Sequence, residues 1–345
     1  MIFLVAVFFL KSWVVAPALA SEVPPPYGDA IVAASARLEL LFTRTVDING
    51  GLTEGPAVAP DGSIYFSDIL PGANKGMIMR FDPRTRTTSV FSNDSGKANG
   101  LIFDAAGDLI GAQGADYGLR RITRWNIKTG HQTVVADRFQ GKRFNAPNDV
   151  CVDHKGRIYF SDPHYIGQEP LELDHRSVYR IDSDGTVIEI TRQVSKPNGL
   201  ALSPDGGTLY VADHDNDSER KGRRIMRIYA FALDPEGLVS KPGHILIDFG
   251  EDAGSDGITV DQHGNIYLTI RMLKRPGVMV LNPAGQEIAF IPTGSPGQAE
   301  GEARSGLPSN VEFGKGVEEN ILYITVGTSL YRIPLKVKGY HRQYD

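Results

Sequence analysis

Six stretches of this chain repeat a single hairpin, and that repeat limits the fold more than any other feature. They read AVAPDGSIYFSDI, LIFDAAGDLIGAQG, VCVDHKGRIYFSDP, LALSPDGGTLYVADH, ITVDQHGNIYLTI and VEFGKGVEENILYITV. Each has alternating apolar residues, a turn holding Gly or Asn, and a second apolar strand. The turn residues Gly62, Gly107, Gly156, Gly206, Gly264 and Asn320 lie 45, 49, 50, 58 and 56 residues apart, the period of a repeat architecture. A second hairpin follows, as in MIMRFDPRTRTTSVF, RITRWNIKTGHQTVV and SVYRIDSDGTVIEI. Two hairpins per repeat make a four-stranded antiparallel sheet. Six such sheets set radially make an all-β, six-bladed β-propeller. Long amphipathic helical patterns are absent, which argues against an α/β barrel. The sixth copy ends in TSLYRIPLK and lacks its outermost strand. LELLFTRT, upstream of the first copy, is expected to supply it and close the ring, removing an open sheet edge.

The repeat makes residues 38–345 one propeller domain, although 345 residues would suggest two domains by length alone. A net charge of −5 and a pI near 5.9 argue against a nucleic-acid partner. The single cysteine, Cys151, forms no intramolecular disulfide and reads as a small buried hydrophobe in Val150-Cys151-Val152. Residues 1–20 read as a signal peptide cut after Ala18-Leu19-Ala20. Lys11 leaves no uninterrupted run of membrane-spanning length. The expectation is a secreted or periplasmic protein without stable membrane insertion after cleavage, monomeric or weakly dimeric. Residues 21–37, with Pro24-Pro25-Pro26, read as a linker.

Several first strands open on an acid or amide that the repeat itself does not require. These are Glu54-Gly55-Pro56, Asn99-Gly100-Leu101, Asn148-Asp149-Val150, Asn198-Gly199-Leu200 and Asp256-Gly257-Ile258. The innermost strands of a propeller line a central channel, so the same register in each blade converges on one mouth. One such residue would be read as a local turn cap. The same register in several blades favours a shared site. Carboxylates from Glu54 and Asp256 with amide oxygens from Asn148 and Asn198 suit a hard cation such as Ca²⁺ or Mg²⁺. The absence of His and Cys there disfavours structural zinc. Asp61-Gly62 and Asp205-Gly206 are hairpin turns. The run His214-Asp215-Asn216-Asp217 lacks the Gly and distal Glu of an EF-hand and reads as a solvated loop. Ser67-Asp68, Ser161-Asp162 and Ala212-Asp213 are expected to bond backbone across a blade. No Gly-x-Ser-x-Gly elbow offers a serine nucleophile.

With these motifs in order over about residues 38–334, the chain resembles the SMP-30/gluconolactonase/luciferin-regenerating-enzyme family, in its bacterial gluconolactonase branch. EGPAVAPDGSIYFSDI, KANGLIFD, RFNAPNDVCVDHKGRIYFSDPHY, KPNGLALSPDGGTLYVAD, SDGITVDQHGNIYLT and ITVGTSLYRI carry the likeness. The resemblance implies a catalytic divalent cation, Ca²⁺ above others, held by Glu54, Asn148, Asn198 and Asp256. It implies hydrolysis of a sugar lactone to the aldonic acid, with Asp256 as the base that takes the water's proton. Asn99 resembles the family's further pocket amide, and Asn310 in SNVEF matches another amide-bearing strand start. His164, in SDPHYIG, and Arg121 are the candidates to steady the oxyanion. One departure stands out: Ala112-Gln113-Gly114 occupies the place of the branch's Glu-His-Gly element, ahead of Arg120-Arg121-Ile122-Thr123-Arg124. It leaves the substrate open. The alternatives are an aryl ester or phosphotriester hydrolase on the same site, or a non-catalytic binding propeller.

Overall fold

The computed structural model describes residues 23–44, 51–216, 224–296, 306–341 and 343–344. The proposed signal peptide lies outside them. Each repeat forms one four-stranded antiparallel sheet, six in all. Blades 1 to 5 are residues 52–92, 98–136, 150–191, 197–248 and 255–292. Blade 6 takes three strands from residues 308–334 and its fourth, Glu39–Thr43, from the N-terminal side. Glu39 lies opposite Arg332 and Thr43 opposite Ser329, so the ring closes as the short sixth repeat demands. There is no α-helix among the described residues, and no helix long and apolar enough to cross a membrane.

Second strands such as Ile64–Ile69 and Ile158–Asp162 are buried almost throughout, not on alternate residues. Each blade is sandwiched between two others, so both faces of its middle strands meet apolar neighbours. Six apolar clusters result, one at each blade interface. Between blades 1 and 2, for example, Tyr65 meets Phe103 edge-on at 5.1 Å. Outermost strands such as Thr87–Ser92 remain largely exposed.

Residues 23–37, expected as a linker, are instead laid against the ring. Ile31 and Val32 are buried in the cluster between blades 5 and 6, and Tyr27 exchanges backbone hydrogen bonds with Phe290. Burial of Ile31, Val32 and Ala36 against blades 5 and 6 favours holding this segment on the ring.

The innermost strands share a deformation. Their pairing register slips between Glu54 and Ala57, Ala98 and Leu101, Pro197 and Leu200, Ser255 and Ile258, and Pro308 and Asn310. A bulge of this kind re-aims one side chain. The residue after it is Gly in four blades, because the strands touch backbone to backbone around the axis. A methyl group on Gly199 would sit 2.3 Å from the Asp256 carbonyl oxygen, and one on Gly257 2.7 Å from the Asn310 Cα. Asp149 and Asn310 hold the equivalent positions in blades 3 and 6.

Below this constriction the channel widens to a cavity of about 70 Å³, closed at the far end by Tyr340, His341 and Gln343. His341 donates from Nε2 to the Gly314 carbonyl at 3.0 Å, and the Tyr344 hydroxyl to Val58 at 3.0 Å. The half-buried Cys151 lines this cavity, as does Glu312. Burial pushes the Glu312 carboxyl up to about 8, although Phe313 N–H and the Thr259 hydroxyl donate to it. An acid whose pKa rises on folding contributes its full stability below its ordinary value near 4.5 and loses it as pH climbs towards about 8. Glu312→Gln removes that loss. The melting temperature of the variant relative to wild type is expected to rise between pH 5 and 8, by up to about 1.4 kcal/mol of stability for each pH unit. A difference that stays flat across this window would contradict the assignment.

Candidate active site

At the opposite mouth lies a cavity of about 260 Å³ lined by Glu54, Asn99, Asn148, Asn198 and Asp256. Five blades contribute these groups from one shared register, each just ahead of Gly55, Gly100, Asp149, Gly199 or Gly257, so the convergence follows from the repeat. Their supports are local. Asp162 accepts from the Asn145 and Ala146 N–H groups at 2.8 and 2.7 Å, just ahead of Asn148. Asp213 does the same for Ser195 and Lys196 at 3.0 and 2.9 Å, just ahead of Asn198. These are the cross-blade backbone bonds expected of the strand-end aspartates. Asp68 differs, pairing with Arg44 in a buried ion pair.

Glu54 is buried and accepts from the Gly55 N–H at 2.7 Å. Its pKa is pushed well up, first by burial and then by the negative charge of Asp256. Asp149, one residue past Asn148, is pushed up to about 7, mainly by burial. Asp149 accepts from Val150 N–H at 2.9 Å and Leu200 N–H at 3.2 Å. A buried Glu54 carboxyl that feels the negative charge of Asp256 favours a bound cation. Asn99 Oδ1 is buried with no hydrogen-bond partner among the described residues, a free acceptor beside that pair. No three His, Cys, Asp or Glu side chains cluster among the described residues. An ion here would rest on two carboxylates and neutral amide oxygens, a donor set that fits a hard cation.

Three sequence expectations fall elsewhere. Asn310 lies one residue later in the register, at the constriction. Its Oδ1 accepts from Val311 N–H at 2.8 Å, and its amide hydrogen-bonds the Glu54 and Asp149 carboxylates. It orients the floor of the cavity without lining it. Arg121 sits on the third strand of blade 2, where its Nε is held by Gln113 Oε1 at 2.7 Å. His164 has a left-handed backbone, φ 61°, and leaves the lining to Tyr165 and Ile166. Burial lowers its pKa.

The structure adds Lys97, Tyr165, His214, Asn216 and Arg271 to the lining. Of the run expected as a solvated loop, His214 and Asp215 instead end the strand Thr208–Asp215 and are buried, Asn216 is exposed, and Asp217 lies outside the described residues. His214 donates from Nδ1 to the Ser255 carbonyl at 3.0 Å, which leaves Nε2 an acceptor, and burial lowers its pKa. The available signal was that no Gly or Pro separates His214 from the apolar run Leu209–Ala212. Backbone strain gathers on the same side. Among the described residues, Lys97, Asp116, Tyr117, Arg120 and His164 all have φ between 52° and 69°. They sit in loops that carry lining residues, as strained residues at ligand sites do. Glu169 ties two of these loops by accepting from Tyr117 N–H at 2.8 Å.

Residues 52–328 match the SMP-30/gluconolactonase/LRE-like region. The chain belongs to the SMP-30/gluconolactonase/LRE-like family. Within that family it is similar to a gluconolactonase of Zymomonas mobilis, 30% identical over 91% of this chain and 85% of the relative. It is also similar to the pentonolactonase XacC of Haloferax volcanii, 29% identical over 66% of this chain and 69% of the relative. A solved gluconolactonase from Xanthomonas campestris is 28% identical and superposes with a TM-score of 0.74 over 93% of this chain and 98% of that one. Ala112-Gln113 ends the second strand of blade 2, with Gly114 next. Gln113 is buried, donating to Ser95 O at 2.7 Å and accepting from the Thr123 hydroxyl at 2.8 Å. Only Gly114 and the following Ala115 reach the cavity.

Proposed function

We propose that this chain is a hydrolase that opens sugar lactones such as gluconolactone at the mouth of the channel, with a divalent cation, Ca²⁺ foremost, as cofactor. The observation that carries the reading is the convergence of Glu54, Asn148, Asn198 and Asp256 on one cavity. Membership of a family whose relatives include a gluconolactonase and a pentonolactonase supports it. Glu54, Asn148, Asn198 and Asp256 would hold the cation, which supplies Lewis-acid polarisation of the lactone carbonyl when bound.

The chain's own residues do the rest. The Asp256 carboxylate takes the proton of the attacking water. Attack on the carbonyl carbon and cleavage of the ring C–O bond then give a hydroxy acid. Asn99, with its free amide oxygen, is suited to accept from a substrate hydroxyl. Asn310 keeps the Glu54 carboxylate in place from below. Tyr165, whose hydroxyl donates to the Lys196 and His214 carbonyls at 3.3 and 3.2 Å, gives the cavity a fixed wall.

The test is hydrolysis of aldonolactones of several ring sizes, with and without chelator. Ring opening that stops on chelation and returns with Ca²⁺ is the expected result. Hydrolysis indifferent to chelator would remove the cation from the reading. No opening of any lactone with Ca²⁺ present would remove the activity. We place the protein outside the cytoplasm on the strength of residues 1–20; sequencing the mature N-terminus is expected to find Ser21.

A further inference from the structure

The geometry points to an anion-recognising subsite centred on Arg271, which selects lactones carrying a carboxylate in addition to the lactone ring. This rests on the lactonase reading and names its substrate class. Arg271 follows the strand Ile266–Ile270 directly, and two contacts fix it. Its backbone N–H donates to the Gly254 carbonyl at 3.1 Å. Its Nη1 donates to the Pro308 carbonyl of blade 6 at 3.0 Å. The same Nη1 lies 3.4 Å from Asp256 Oδ2. Its Nε and Nη2 groups have no partner among the described residues, and the side chain lines the cavity.

A guanidinium held by one carbonyl, with its remaining donors free beside the reaction site, is prepared for a planar oxyanion. Among the described residues, the one anion it touches is Asp256. A cation bound there would draw the Asp256 charge to itself and leave Arg271 without its counter-charge. Lys97 adds positive potential to the wall but is already engaged, donating to Leu70 O and Gly72 O and lying 3.7 Å from Asp116. A second cation therefore favours anionic ligands at long range, while Arg271 supplies the free donors. A neutral sugar lactone uses neither feature. The diacid lactone of an aldaric acid uses both, its free carboxylate meeting Arg271 while its ring carbonyl is opened.

The experiment compares kcat/KM for glucarolactone and gluconolactone in wild type, Arg271→Gln and Arg271→Lys. In parallel, calorimetry compares binding of glucarate and gluconate to the metal-free and Ca²⁺-loaded proteins. Thermal melting checks that the variants fold. Wild type is expected to prefer glucarolactone. Arg271→Gln is expected to lower that preference tenfold or more, the size of a lost charge-assisted hydrogen bond, and Arg271→Lys to restore part of it. The glucarate-over-gluconate binding ratio should fall in step. If Arg271→Gln slows both lactones equally, or wild type prefers the neutral one, the subsite is overturned while the lactonase reading stands. If no lactone is opened yet glucarate still binds more tightly through Arg271, the subsite stands and the lactonase reading fails.

Discussion

Asp256→Asn is expected to lower lactone hydrolysis by at least about 10²-fold, and up to about 10⁴-fold, with the propeller still folded. The substitution keeps the size of the side chain and one oxygen donor, but removes the negative charge and the site that accepts a proton. General base catalysis alone accounts for a loss of this order. Weaker cation binding would add to it, and titrating Ca²⁺ to saturation separates the two. The fold is expected to survive because Asp256 is an incompletely buried side chain beside a cavity, and its loss leaves Arg271 still held by Pro308. Near-native turnover at saturating Ca²⁺ would sink the role. His214, whose Nε2 remains an acceptor at the same cavity, would then be the group to replace next.

Gly55→Ala is expected to cost about 3 kcal/mol of stability or more and to lower the melting temperature by roughly 5 °C or more. Gly55 has φ 44°, where an L side chain is strained. A methyl group there would also lie 2.2 Å from the Asn99 carbonyl oxygen and 2.7 Å from the Gly100 Cα. Both neighbours are backbone, so relief requires blade 1 and blade 2 to separate at the axis. Glu54 and Asn99 are the adjacent lining residues and would move with them. A melting temperature within a degree of wild type would mean that the inner strands are not in the contact described.

The six-fold repeat was legible because each hairpin carries its own turn signal, and closure by Glu39–Thr43 was legible because one copy was short. The convergence of Glu54, Asn148, Asn198 and Asp256 was legible for the same reason: a polar residue standing at one register, where the repeat needs none. What escaped the sequence follows different rules. Asn310 was misplaced by a single residue, because blade 6 carries Ser309 at the mouth register and its bulge is one residue shorter. Arg121 belongs to a third strand, too far from the axis to line the channel. Lys97, Tyr165 and Arg271 flank strand ends, where the direction of a side chain is set by neighbouring blades distant in sequence. Lys97 gives no sign in KANG of its positive φ or its buried ammonium.

The pairing of Glu39 with Arg332 joins residues 293 apart in the chain. At about 5–20 residues per second, a ribosome needs roughly 15–60 s to make the intervening chain. For that time ELLFT is a strand without a partner, and the earlier blades form an open arc with an apolar flank exposed. The ring cannot lock during synthesis. Its last step is the meeting of two chain ends, a long-range contact that folds slowly. The nascent protein therefore stays pliable until translation is nearly over, and a chain cut before Ser329 would lack the strand that Glu39–Thr43 pairs with and leave the arc unsealed.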